Sequence, residues 1–178
     1  MKSRALRYFG GISAAVLAST IAFAGAACAQ SSDNDGCTNA TLIGDYAFRI
    51  SGQVFPPGAP PVDREGVAMT RFDGTGNLTQ VDFVMANGVV SPGPPDPLTG
   101  FHVGETGWYK VFPDCTGKAE IDFPTPPGGT SGAVIDLMFV LGNHGKTIHT
   151  IVSRLVPPNS TTPIPVSIHS DAEKLDGE

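Results

Sequence analysis

The sequence predicts an all-β protein: an up-and-down antiparallel barrel of about eight strands, with a β-sandwich as the alternative. Three observations lead there. Short runs rich in Val, Ile, Phe and Tyr alternate apolar and polar residues with period two, and no stretch beyond residue 41 repeats at helical spacing. All 16 prolines fall between these runs or at their ends, where a missing ladder N–H does no harm. Tight glycine turns alternate with longer proline-rich loops, the punctuation of successive hairpins.

Residues 1–29 stand apart from this pattern. Lys2, Arg4 and Arg7 precede an apolar segment over 12–27, and Ala27, Cys28 and Ala29 come before Gln30, the layout of a cleaved secretory signal. The apolar segment is short for a membrane span, so no membrane association is expected after cleavage. Acylation of Cys28 is the minor alternative, and Gly25 stands where it would want a larger apolar residue. Cleavage leaves residues 30–178, enough for one domain, in a secreted or periplasmic setting. The leader holds three of the 11 Lys and Arg and none of the 17 Asp and Glu, so eight bases face 17 acids and the remainder has net charge −9. Nucleic acid and anionic membrane surfaces are thereby excluded as partner classes, since both need clustered bases. Cleavage also removes Cys28, and Cys37 and Cys115 then allow one disulfide, a structural staple across a long loop. Residues 30–41 become a leader tied down by Cys37, 42–170 the barrel, and 171–178 a frayed acidic tail.

The first strand is predicted over 42–51, where Tyr46, Phe48 and Ile50 alternate with Asp45, Ala47 and Arg49. The loop FPPGAPP follows. Strands over 64–72 and 77–87 are joined by Asp73, Gly74, Thr75 and Gly76, a hairpin turn. That turn lacks the spaced carboxylates a calcium loop requires. A second proline loop at 91–97 precedes a strand over 101–112, the turn containing Cys115, and a strand over 118–123. After a third such loop comes VIDLMFVLGNHGKTIHTIVSRL at 134–155, two strongly apolar runs turning at Gly142, Asn143, His144 and Gly145. A short last strand is expected over 166–169. Asn39, Asn77 and Asn159 begin glycosylation sequons, which mean little if the signal is bacterial.

The hairpin at 134–155 supplies the candidate site. Pairing it symmetrically about Asn143 and His144 sets Met138 opposite His149 and makes Asp136 and His149 diagonal neighbours on one face. A carboxylate orienting an imidazole is a plausible acid–base couple, with the Tyr109 hydroxyl as an assisting donor. Trp108, Met138, Phe48 and Arg49 are the expected ligand contacts in the lumen. The bland alternative is that Asp136 pairs with Arg49 or Arg154 and that His149 is a partly exposed strand residue. Trp108 and Tyr109 point to opposite faces, so one of them should face inward. Both faces of strand 134–141 are apolar, which points to a homo-oligomer. No nucleophile elbow, phosphate-binding loop or metal-ligand spacing is present, so neither a cofactor nor a metal is expected.

At 66–87 and 107–117 the chain resembles a group of small secreted bacterial β-barrel proteins related in fold to allene oxide cyclase. The motifs are FDGTGN between two strands, GWYKVFPDCTG, and the apolar strand pair followed by a short strand ending in IHSD. The resemblance covers most of residues 37–155. It implies a lipocalin-like eight-stranded barrel, often oligomeric, whose lumen takes a small apolar ligand. No catalytic motif of the cyclases matches residue by residue. Two functions are therefore expected: cofactor-free cyclisation, isomerisation or elimination of a small apolar molecule, or noncatalytic ligand binding or interaction by a secreted protein.

Overall fold

The computed structural model describes residues 36–175; the signal expected at 1–29 lies outside them. Among the described residues nine strands form: β1 (Ile43–Val54), β2 (Val62–Asp73), β3 (Asn77–Ala86), β4 (Val89–Val90), β5 (His102–Val111), β6 (Thr116–Asp122), β7 (Val134–Gly142), β8 (Thr147–Val156) and β9 (Val166–Lys174). Every pairing is antiparallel, and β1 is bonded to both β2 and β9, so eight strands close in the order β1-β2-β3-β5-β6-β7-β8-β9. Closure decides for the barrel over the sandwich and removes the sheet edges that would otherwise invite pairing with other chains. The extra strand β4 pairs with Met85 and Ala86, beyond the part of β3 that meets β5.

Sequence alternation becomes burial alternation. In β2, Ala68, Thr70 and Phe72 are buried while Val67, Met69 and Arg71 are exposed. The last strand corrects the expected frayed tail. β9 continues to Lys174, with Ser170 and Ala172 inside and Ala172 opposite both Phe48 and Ile148. Its small inward residues fit beneath large ones on the adjoining strands, a complementarity that composition alone does not reveal.

The two ends of the barrel differ. Tight turns gather at one end, and a core of Leu42, Tyr46, Phe72, Tyr109, Phe139 and Ile148 plugs it. Phe72 meets the rings of Tyr46 and Tyr109 edge-on, at centroid distances of 5.4 and 5.0 Å, a favoured aromatic geometry. Tyr46 Oη donates to Gly145 O at 2.6 Å and Tyr109 Oη to Leu42 O at 2.9 Å, so the buried hydroxyls are satisfied. The Cys37–Cys115 disulfide, spanning 78 residues, fastens the entering chain to the same end. It fits an oxidising, extracytoplasmic compartment. No helix among the described residues is long and apolar enough to cross a membrane. All the prolines except Pro113 sit in the long loops at the opposite end.

Candidate functional site

Above the plug the barrel encloses a cavity of about 290 Å³, close to the lower limit for small-molecule sites. Its walls are mainly apolar, with Phe48, Ile50, Ile135, Leu137 and Val152 prominent, and it reaches Ser91, Pro92, Pro157 and Pro158 at the proline-rich end. Polar groups enter the lining at four places: Arg64 beside Ser91, Thr70 bonded to Gln80, Asp82 beside His102, and Thr150 bonded to Ser170.

The polar groups around Asp82 form one chain. Thr70 Oγ1 donates to Gln80 Oε1 at 2.7 Å, and Gln80 Nε2 donates to Glu105 Oε2 at 2.8 Å. The other oxygen of Glu105 is buried with no partner if the carboxyl is ionised. Protonation resolves this, because the carboxyl can then donate to Asp82, with which it is in hydrogen-bonding contact. Burial, and next the Asp82 charge, push Glu105 up to about 8, so it is predominantly neutral at pH 7. Burial also raises Asp82, opposed by His102, whose Nδ1 lies 2.9 Å from Asp82 Oδ1. The negative charge of the pair is best assigned to Asp82, because it alone has the imidazole donor. Nδ1–H then points at Asp82, and in the neutral imidazole the lone pair is on Nε2, which has no hydrogen bond among the described residues.

A β-bulge assembles the cluster. Gln80 lies opposite Glu105 and Asp82 opposite His102, so Val103 and Gly104 together face Val81. The additional residue lets His102 and Glu105, three apart, turn to the same inner face. Gly104 has φ +88°, the left-handed region that favours glycine. At the open end, a Cβ on Gly93 would stand 2.7 Å from His102 Cγ, so this loop glycine makes room for the imidazole. Arg64 Nη1 donates to Ser91 Oγ at 2.6 Å, two residues before Gly93 in the same loop. No carboxylate lies within ion-pair distance of Arg64 among the described residues.

The expected Asp136–His149 couple does not form. The hairpin register places Val140, not Met138, opposite His149, and Asp136 opposite Arg154 with a bulge beside it. The five steps along the strand from His149 to Arg154 separate the two groups by about 16 Å. Both lie on the outer wall: Asp136 is 3.4 Å from Arg154 Nη1, and His149 Nδ1 is 2.6 Å from Asp171. The row Ile135, Leu137, Phe139 faces inward because the alternate row contains the carboxylate, which is costly to bury unpaired. Met138 shares that outer row, and Arg49 and Trp108 also face outward, the indole donating to Glu120 Oε1 at 3.0 Å. Tyr109 turns inward but belongs to the plug; burial pushes its hydroxyl up to about 12. Of the expected ligand contacts, Phe48 alone lines the cavity.

No protein-family model and no curated protein matches the chain. Among solved structures, the crystal structure of Rv2717c from M. tuberculosis is similar at 10% identity and a TM-score of 0.33, over 76% of this chain and 94% of that one.

The site residues that sequence reasoning missed are Arg64, Asp82, His102 and Glu105, although Arg64 and Asp82 keep the alternation of their strands. One sequence signal marked the last two: a glycine inside a strand, as at Gly104, indicates a bulge, and a bulge brings His102 and Glu105 to one side. The assembled lining offers an apolar chamber, an oriented imidazole and a half-buried guanidinium. Such a set can hold a small molecule, accept a proton from it and face a negative charge on it.

Proposed function

We propose that the protein is an exported, secreted or periplasmic, barrel that takes a small, mainly apolar molecule into its lumen. The observation that carries this is the cavity of about 290 Å³ enclosed by apolar side chains above the plugged end. Its volume equals that of about ten water molecules, which suits a ligand of roughly that many non-hydrogen atoms. The closed eight-stranded barrel supports kinship with allene oxide cyclase-like proteins at the level of architecture, while the finer likeness rests on the turn motifs. Exposed Met138, Val140 and Ile151 on one stretch of outer wall support self-association.

A second reading, conversion of the bound molecule without a cofactor, is favoured by the Asp82–His102 pair in the lining. Binding itself is tested with 1-naphthol, followed by its fluorescence. Saturable binding is expected, and Leu137→Trp, which places an indole in the lumen, should abolish it while the circular dichroism stays that of the wild type. Binding that survives this substitution in a folded variant would place the ligand elsewhere.

A further inference from the structure

We propose that the lumen is an active site for proton abstraction from a small, mainly apolar carbonyl compound, with His102 as base, Asp82 as its positioning residue and Arg64 as the cation facing the substrate oxygen. This deepens the reading of the lumen as a binding site and rests on it.

The geometry supplies each part. Asp82 occupies Nδ1 of His102 at 2.9 Å, and both side chains are nearly buried, 5% and 9% exposed, in the lining of the cavity. A carboxylate on one ring nitrogen fixes the tautomer and orientation and leaves the other as proton acceptor. Gly93 stands close against the ring, and with Nδ1 taken by Asp82 the ring nitrogen left for substrate is Nε2. Arg64 lines the same cavity, and Ser91, which it contacts, is two residues from Gly93. The corresponding chain length limits the Ser91 and Gly93 Cα atoms to about 7 Å apart. A cation near the base, in an apolar chamber and without a carboxylate partner, can stabilise negative charge developing on a bound oxygen. The chain Thr70–Gln80–Glu105 ends at the Asp82 carboxylate.

In the reaction, His102 Nε2 takes the proton from the carbon between a carbonyl and a C=C bond. The C–H electron pair forms a new C–C double bond, and the carbonyl π pair moves to oxygen, which faces Arg64 as a dienolate. Return of the proton from His102 to the γ carbon restores the carbonyl and shifts the C=C bond into conjugation. One proton leaves and one returns, with no oxidant, reductant or other reactant.

The experiment isolates the base step with 5-nitrobenzisoxazole. Removal of its C3 proton sends the C–H pair into a nitrile as the N–O bond breaks, its electrons going to a coloured phenolate, and His102 then releases the proton to solvent. Turnover is expected in the wild type. His102→Gln, which can keep a hydrogen bond to Asp82, should lower kcat/KM by about 10²-fold or more. Asp82→Asn should lower kcat while leaving KM nearly unchanged, the mark of a positioning residue. Saturating 1-naphthol should stop turnover by the wild type, a control that needs no variant to fold. Turnover that persists in His102→Gln or under 1-naphthol overturns the proposal. A protein that binds 1-naphthol but does not turn over the probe overturns the catalytic assignment and leaves the binding reading standing. Absence of both removes the two together.

Discussion

Glu105 lies beside a second carboxylate in a dry wall, and that placement makes its protonation part of the fold. Its carboxyl is raised from an ordinary 4.5 to about 8, first by burial and then by the Asp82 charge. Because the folded value is the higher one, the stabilisation is fully present below about pH 4.5 and is lost as pH rises through about 8. Glu105→Gln preserves the shape, an acceptor for Gln80 and a donor for Asp82 without the ionisation. The melting temperature of this variant minus that of the wild type should therefore increase steadily from pH 5 to pH 8, measured by thermal denaturation. A difference independent of pH would mean that Glu105 is ionised in the folded protein. At this scale the sequence was partly legible. Asp136, expected inside the lumen, is turned outward by its charge, whereas Asp82 and Glu105 point inward against the same rule, because each is hydrogen-bonded by groups from another strand.

The β2–β3 hairpin shows an element written almost wholly in local sequence. Asp73 Oδ1 accepts the backbone N–H groups of Thr75, Gly76 and Asn77, and Oδ2 accepts from the side chains of Thr75 and Asn77. These donors, led by the Thr75 and Asn77 side chains, hold the carboxyl well below the usual carboxylate range. The folded value is the lower one, so the turn gains stability above about pH 3.8 and loses it as pH falls below that value. Asp73→Asn should lower the melting temperature at pH 7, with the gap to the wild type narrowing below pH 3.8. An equal gap at both pH values would show that charge is not what the turn uses. The sequon asparagines are employed in the same local way: Asn39 holds Thr75 O and Val111 N, Asn77 holds Asp73, and Asn159 Oδ1 accepts from Thr130 N. Bulges were the elements that escaped, since each is settled by how two strands fit a curved wall. The turn at Asn143–Gly145 set Val140 opposite His149, a bulge beside Asp136 shifted the pairing beyond it by one more residue, and a bulge at Gly104 built the site.

For the whole molecule, the disulfide closes the plugged end by tying residue 37 to the β5–β6 turn across a separation of 78 residues. Chain-entropy reasoning assigns such a closure about 4 kcal/mol. Cys37→Ser with Cys115→Ser should lower the unfolding free energy in urea by roughly that amount, with strand content retained at low denaturant. A loss under about 1 kcal/mol would show that Leu42 and the tyrosine hydroxyls already hold the entering chain without it. The sequence by itself determined the strands, the tight turns, the proline-rich loops and the cysteine pairing, because period-two burial, positive φ, the missing proline N–H and a single cysteine partner are local or exhaustive constraints. Only the tertiary structure decided which face of each strand looks inward and which polar groups meet there. With apolar residues in both rows of β3 and β7, local pattern leaves the two faces close in energy. The choice falls to side-chain volumes and hydrogen-bond partners brought from other strands as the barrel closes.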